Sequence, residues 1–334
     1  MADLASIGGF DCRHKGVAVL SSKGGVGKST LCGQIIDNLA RFGLRVLGVD
    51  LDPNGALSAM TNTVAPIGGP SVKEVLEGTV DPRAAIIMPG PWQPESDRRW
   101  DRGGQLLPEG EVHILPAPQD GLENAIRVSG TDAESRLHIA LTNSGLGEYY
   151  DAMILDAPGT EGPAFFLSLH AALHVLFPLQ PETLSLRGFI RTIDKAVSFS
   201  SYSGKKLNAI GGVATMMTNK REHREVVEDA DAWLKKRFNG QVAMLTPSLP
   251  LRVVVADAVP LYLPVSRMVT SGGTHGVIAA GYSRIALSVI NVVAPERMDG
   301  ILDALEDADL DPKIKSVLFG EADADDAAEL TDAS

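Results

Sequence analysis

From residue 16 to about residue 290, short aliphatic runs alternate with longer amphipathic segments, the periods expected of buried strands and surface helices. The runs Gly16–Ser21, Arg45–Val49, Val112–Leu115, Ala152–Leu155, Ala172–Pro178, Ala209–Met217 and Gln241–Thr246 predict strands. Helical spacing predicts helices over Lys28–Phe42, Val72–Glu77, Gly162–Ala171, Leu184–Ser198, Arg221–Phe238 and Gly276–Val293. That order is one of βαβ units. Right-handed crossovers wind such units into a doubly wound, mostly parallel α/β sheet with helices on both faces.

Three segments stand outside the alternation. Residues 1–15 form an N-terminal extension to a domain spanning 16–298. Within that domain, PGPWQPESDRRWDRGGQLLPEG, at about 89–110, is rich in Pro, Gly and charge, and holds two of the three tryptophans. It reads as an irregular insertion exposed to solvent, with a functional surface loop as the other reading. Residues 299–334 read as an acidic C-terminal helix, over Met298–Phe319, followed by a disordered Asp/Ala-rich tail.

Composition narrows the class. A chain of 334 residues with 44% hydrophobic and 22% charged residues can bury a sizeable core, which excludes collagen-like, mini-protein and fully disordered classes. No run approaches eighteen consecutive apolar residues, and the start MADLASIGGFDCRHKG lacks the basic and apolar stretches of a signal peptide. A cytoplasmic location is therefore expected. Cys12 and Cys32 make no zinc spacing and no disulfide framework, and the histidines offer only His170-x-x-x-His174, without a following glutamate.

The net charge of −12 is concentrated at one end, since twelve acidic residues from Asp299 onward face only Lys313 and Lys315. The rest of the chain is nearly neutral. Within it, Arg187, Arg191, Lys195, Lys205, Lys206, Lys220, Arg221 and Arg224 face only Asp194 and Glu222. That stretch is either a basic surface or a solvated helix face.

Chemistry concentrates in Ser22-Lys23-Gly24-Gly25-Val26-Gly27-Lys28-Ser29-Thr30, between the first predicted strand and the first predicted helix. Glycines let backbone N–H groups approach phosphate oxygens, and the helix N-terminus adds a positive dipole. Lys28 is placed to reach the β- and γ-phosphates, and Ser29 to ligate Mg²⁺. The ordinary phosphate loop begins with glycine at the position of Ser22 and has no second lysine. Because Lys28 already serves the phosphates in cis, Lys23 is expected to reach a nucleotide held by a second subunit.

Two strand ends add carboxylates. Asp50 and Asp52, in Val49-Asp50-Leu51-Asp52-Pro53-Asn54-Gly55, lie two residues apart and are expected on one face. Asp156, ending Met153-Ile154-Leu155-Asp156, has the form of a Walker B aspartate that orients Mg²⁺ or its water shell. Ligands sit at strand carboxyl ends in open α/β sheets, so these carboxylates and the loop read as one metal- and water-positioning set.

KGGVGKST, DLDPNG and LDAPG together resemble the ParA/MinD group of deviant Walker A ATPases, over roughly residues 16 to 290. The ParA-type branch fits best, on Gly43-Leu44-Arg45-Val46-Leu47, Leu115-Pro116-Ala117, Phe177-Pro178-Leu179-Gln180-Pro181-Glu182 and Leu249-Pro250-Leu251-Arg252 in that order. The resemblance implies a cytoplasmic, nucleoid-associated ATPase that takes ATP and Mg²⁺ and forms a homodimer over two nucleotides. Such proteins bind double-stranded DNA nonspecifically when ATP-loaded. They position a plasmid, chromosome or other large cargo and are reset by a ParB-like or cargo adaptor protein that stimulates hydrolysis.

By matching position, the resemblance makes Lys23 the cross-dimer lysine, Lys28 and Ser29 the phosphate and Mg²⁺ contacts, and Asp52 the residue that positions attacking water. Asp156 becomes the Walker B carboxylate, and Asn219, Pro250 and Asp257 the adenine side. The family's arginine-bearing stretch is here Pro250-Leu251-Arg252-Val253-Val254, with apolar residues at one or two of the DNA-contacting positions. Two rival readings share the fold. A MinD-like membrane-cycling ATPase would need a basic amphipathic C-terminal helix, and an iron–sulfur carrier would need cysteines at a dimer interface.

Overall fold

The computed structural model describes residues 11–96, 100, 104–128, 134–160, 162–268 and 274–321. Seven strands form one sheet: β1 (Gly16–Val19), β2 (Arg45–Asp50), β3 (Glu111–Leu115), β4 (Ala152–Asp156), β5 (His174–Leu179), β6 (Asn208–Ala214) and β7 (Met244–Leu245). They lie in the order β3-β2-β4-β1-β5-β6-β7, and every pairing is parallel. From β1 the chain runs outward to β2 and β3, returns to insert β4, and then continues on the other side through β5. The order therefore reverses beside β1, and the loop that follows β1 opens at this switch point.

The helices, in chain order, are α1 (Lys28–Arg41), α2 (Ala56–Met60), α3 (Val72–Glu77), α4 (Pro82–Ala85), α5 (Leu122–Val128), α6 (Arg136–Asn143) and α7 (Leu146–Tyr149). They continue with α8 (Pro163–Ala171), α9 (Ser185–Ser203), α10 (Arg221–Arg237), α11 (Val253–Ala258), α12 (Thr274–Val293), α13 (Met298–Asp307) and α14 (Pro312–Phe319). Alternate strand residues feed two cores. Val17, Val19, Val46, Ile114 and Ile154 pack with α1 and α11 to α14. Ala18, Leu20, Leu47, Val49 and Leu155 pack with α3 and α5 to α10. A parallel sheet covered on both faces explains why its strands read as continuous apolar runs, with no alternation.

Helix α12 is long and apolar enough by composition to cross a membrane, but most of it is buried in the first core. The helix expected over Met298–Phe319 is two helices. It breaks before Pro312, where Asp311 accepts from the Lys313 N–H at 2.8 Å and starts α14 afresh. Ile301, Leu305, Ile314, Val317 and Leu318 are buried in the α12 core, so the acidic residues of this segment line its outer side. The Asp/Ala-rich tail beyond Glu321 lies outside the described residues.

Where the insertion is described, it corrects the expectation of solvent exposure. Trp92 is fully buried and Trp100 is 6% exposed. Trp100 stacks on Phe42 with ring centroids 5.5 Å apart, and Trp92 Nε1 donates to the Tyr262 carbonyl at 3.0 Å. The buried Arg41 guanidinium donates to the Gly104 carbonyl at 3.1 Å and to that of Trp100. Gln93 pairs with both backbone groups of Val112 on the outer edge of β3, beside the antiparallel bridge from Ile87 to Ile114. The described part of the segment straps across α1. It lacks periodicity because its anchors are single side chains, and no repeating face packs.

Candidate nucleotide site

The loop from Ser22 to Lys28 joins β1 to α1. Gly27 takes a left-handed φ of 75° as the N-cap of α1, which spares the loop a Cβ where the backbone turns into the helix. Val26 is buried, and its carbonyl accepts from Thr215 Oγ1 at 2.8 Å, which ties the loop to the end of β6. Gly24 and Gly25 are exposed, while Ser29 and Thr30 are half-buried in the first turn of α1.

Lys28 is 7% exposed and lies between two carboxylates, with Nζ 2.8 Å from Asp156 Oδ1 and 3.4 Å from Asp52 Oδ2. Burial disfavours its ammonium, but the Asp156 charge and hydrogen bond outweigh burial and hold the group up at about 12. Asp156 is fully buried, and its Oδ2 has no hydrogen-bond partner among the described residues. A buried carboxylate oxygen without a donor is a place for a cation. Oxygen donors from Ser29, Asp52 and Asp156 suit Mg²⁺, which fits the residues present.

Asp50 and Asp52 do not act together as their spacing implied. The strand ends at Asp50, whose buried carboxylate accepts from the Ser58 N–H and hydroxyl and from the Asp52 N–H, fixing α2. Burial and the neighbouring Asp156 charge push the Asp50 carboxyl well above the usual range. Asp52 Oδ1 accepts from the Asn54 N–H and side-chain amide at 3.0 and 2.9 Å, leaving Oδ2 toward Lys28.

Lys23 is directed elsewhere, its Nζ donating to Glu182 and Ser185. Beyond the end of β6, Met217 bridges to Pro250, bringing Thr218-Asn219 beside Leu249–Leu251. Asn219 and Asp257 are exposed, and Pro250 is half-buried. The sequence reading missed three supports. Thr215 anchors Val26, Met216 adopts a left-handed φ of 53° beside Gly27, and buried His223 accepts the Thr218 N–H through Nδ1 at 3.2 Å. The spacing from Thr218 to His223, one turn into a predicted helix, is the only one of these with a local signal.

At the amino end of the sheet, Asp11, Cys12 and His138 bring three potential metal ligands within 4.8 Å. Arg13 takes both Asp11 oxygens and Thr142 donates to the Cys12 thiol, so hydrogen bonding accounts for this cluster. Both cysteines are buried.

A glycine-rich loop at the switch point of a parallel sheet, over a lysine held by strand-end carboxylates, places the chain among P-loop nucleotide-binding α/β proteins. Residues 17–261 match the CobQ/CobB/MinD/ParA nucleotide binding domain, and the chain belongs to that family. It is 28% identical over 275 residues to the chromosome-partitioning ATPase Soj of Thermus thermophilus, covering 82% of this chain and 94% of Soj. It is 26% identical over 184 residues to the maintenance of carboxysome distribution protein A of Synechococcus elongatus, covering 55% of this chain and 65% of that protein.

Among solved structures, cobyrinic acid a,c-diamide synthase from Mycobacterium smegmatis, with bound ATP analog and magnesium, superposes with a TM-score of 0.63 at 26% identity. That match covers 83% of this chain and 94% of the synthase. The ParA-type resemblance and the doubly wound parallel fold both hold.

Proposed function

We propose that the chain is a ParA-type ATPase that binds ATP with Mg²⁺, forms a homodimer through Lys23 and hydrolyses ATP slowly until a ParB-like or cargo adaptor stimulates it. The observation that carries this reading is the Lys28 ammonium fixed under the loop by Asp156 and Asp52. Charged donors already oriented where phosphate charge develops are the main source of catalysis in phosphoryl transfer. Lys28 would meet the β- and γ-phosphates over the N–H groups of Gly24 to Thr30, and Lys23 would contribute from the second protomer. Asp52, steadied by Asn54, would orient the attacking water. Ser29, Asp52 and Asp156 would hold Mg²⁺, which neutralises phosphate charge. Asn219, Pro250 and Asp257 would border the adenine.

In the ATP state the dimer would bind duplex DNA without sequence preference, place itself on the nucleoid and position a plasmid, a chromosome or a protein compartment. Support comes from Soj and from the exposed Arg187, Arg191, Lys206, Lys220, Arg221 and Arg224. Lys195, which is half-buried, and Lys205, whose Nζ lies 2.6 Å from His170 Nδ1, leave that set. The membrane reading loses ground because the described part of the acidic C-terminal segment is packed on α12. The test is a pair of variants. Lys28→Ala should lose ATP binding, and Asp52→Ala should keep ATP and hold the dimer. Undiminished hydrolysis by Asp52→Ala would remove that residue from the reaction.

A further inference from the structure

The nucleotide loop is held in two halves by different parts of the fold. Before Gly24 it is stitched to α9, where the Ser22 N–H donates to Thr192 Oγ1 at 2.9 Å and the Ser22 hydroxyl donates to the Gly188 carbonyl at 3.0 Å. Lys23 Nζ then donates to Glu182 Oε2 at 2.7 Å and to Ser185 Oγ at 2.9 Å. Glu182 is itself steadied, since its Oε1 accepts from Gln180 Nε2 at 2.9 Å and its carbonyl from the Ser185 N–H at 2.8 Å. After Gly25 the loop belongs to β6, through Thr215 and the Val26 carbonyl. Between the halves, a Cβ added at Gly24 or Gly25 would meet no atom within 4 Å. Lys23 Nζ donates to Glu182 and Ser185, and Lys28 Nζ to Asp52 and Asp156, so the Lys23 side chain can change partner by its own rotation without disturbing Lys28.

We propose that Glu182 and Ser185 are positioning residues that hold Lys23 on its own protomer, so that self-association over nucleotide requires them to release it. The inference rests on the reading of Lys23 as a contact to the nucleotide of a second copy. The Lys23 side chain is turned onto its own protomer by Glu182 and Ser185 and must swing off them to reach a phosphate in trans, so the two contacts compete. The Lys23 and Glu182 side chains are 38% and 49% exposed. A half-solvated pair of this kind is weak, and the several charges of a polyphosphate outcompete it. Glu182 thus sets a threshold for association and does not block it.

The experiment compares the full-length parent with Glu182→Ala, Glu182→Ala/Ser185→Ala and Lys23→Ala. Self-association is measured by sedimentation with a nonhydrolysable ATP analogue, and analogue affinity is measured on the dilute protein. Loss of an exposed pair is worth about two- to fivefold per protomer. Because both protomers release a lysine, Glu182→Ala should raise the dimerisation constant by about four- to twenty-fivefold, with a smaller gain at high salt. Analogue affinity of the dilute protein should stay within about twofold. A merely structural role would lower association and cannot raise it. An unchanged or weaker dimer in Glu182→Ala, while Lys23→Ala abolishes association, overturns the positioning role alone. Parental association in Lys23→Ala overturns the cross-protomer reading beneath it.

Discussion

Lys28→Ala tests whether the site's electrostatics are also part of the fold. Without nucleotide, Lys28 is the cation opposite Asp156, which is fully buried and already has one oxygen without a partner. Removing one member of a buried ion pair typically costs about 3–5 kcal/mol, because the remaining charge is left in a low dielectric. Unfolding entropy near 2.1 cal/mol/K per residue gives roughly 0.7 kcal/mol per degree for 334 residues. The nucleotide-free variant should therefore melt about 4–7 °C lower at pH 7. Adding Asp156→Asn should recover more than half of that loss, since the stranded charge is gone. Calorimetry on the parent, both single variants and the double variant closes the cycle. Additive losses, or an unchanged Tm in Lys28→Ala, would refute the buried-pair reasoning.

Four further outcomes follow from the packing. Trp92→Ala empties a fully buried site and removes the donor to Tyr262, so it should cost about 3–5 kcal/mol; a melt within a degree of the parent would contradict the strap. Thr215→Val removes the hydrogen bond that fixes the Val26 carbonyl and should weaken ATP binding about two- to tenfold by titration calorimetry. Burial holds both His138 and His170 down at about 4, so the folded chain binds fewer protons than the unfolded chain between there and about 6.5. Stability from these two residues is present above about pH 6.5 and is lost as pH falls toward 4; thermal melts should show this acid loss shrinking in His138→Gln. A chain ending at Asp311 exposes the surfaces that bury Ile314, Val317 and Leu318 and should lose several kcal/mol relative to one ending at Glu321.

The sheet was legible because its strands are covered on both sides and so appear as uninterrupted aliphatic runs. Each of the seven strands falls on such a run. The runs say less about where pairing stops. Apolar spacing extends the sixth strand to Met217, yet the observed strand ends at Ala214, because Thr215 turns toward Val26 and Met216 takes a left-handed φ. The site was legible where the chemistry is local, as in the loop and the strand-end aspartates. It was not legible where partners are remote. Lys23 and Glu182 are 159 residues apart, and Thr215 and Val26 are 189 apart. Asp50 and Asp52 looked equivalent by spacing, but the strand end falls between them, so one caps α2 and the other faces Lys28. The buried tryptophans of the strap had no period to announce them, since each fills its own socket.

The central claim is that the loop, Lys28 and the strand-end carboxylates run an ATP-dependent association that engages DNA. It is tested most directly on Asp52→Ala, by sedimentation and duplex DNA binding with ATP, ADP or no nucleotide, at low and moderate salt. The expected result is a dimer with ATP alone, bound to unrelated duplexes with equal affinity that falls steeply as salt rises. A protein that stays monomeric with saturating ATP would contradict the claim. A dimer indifferent to duplex DNA would contradict its DNA part, with exposed Leu251 and Val253 as the surface to examine next.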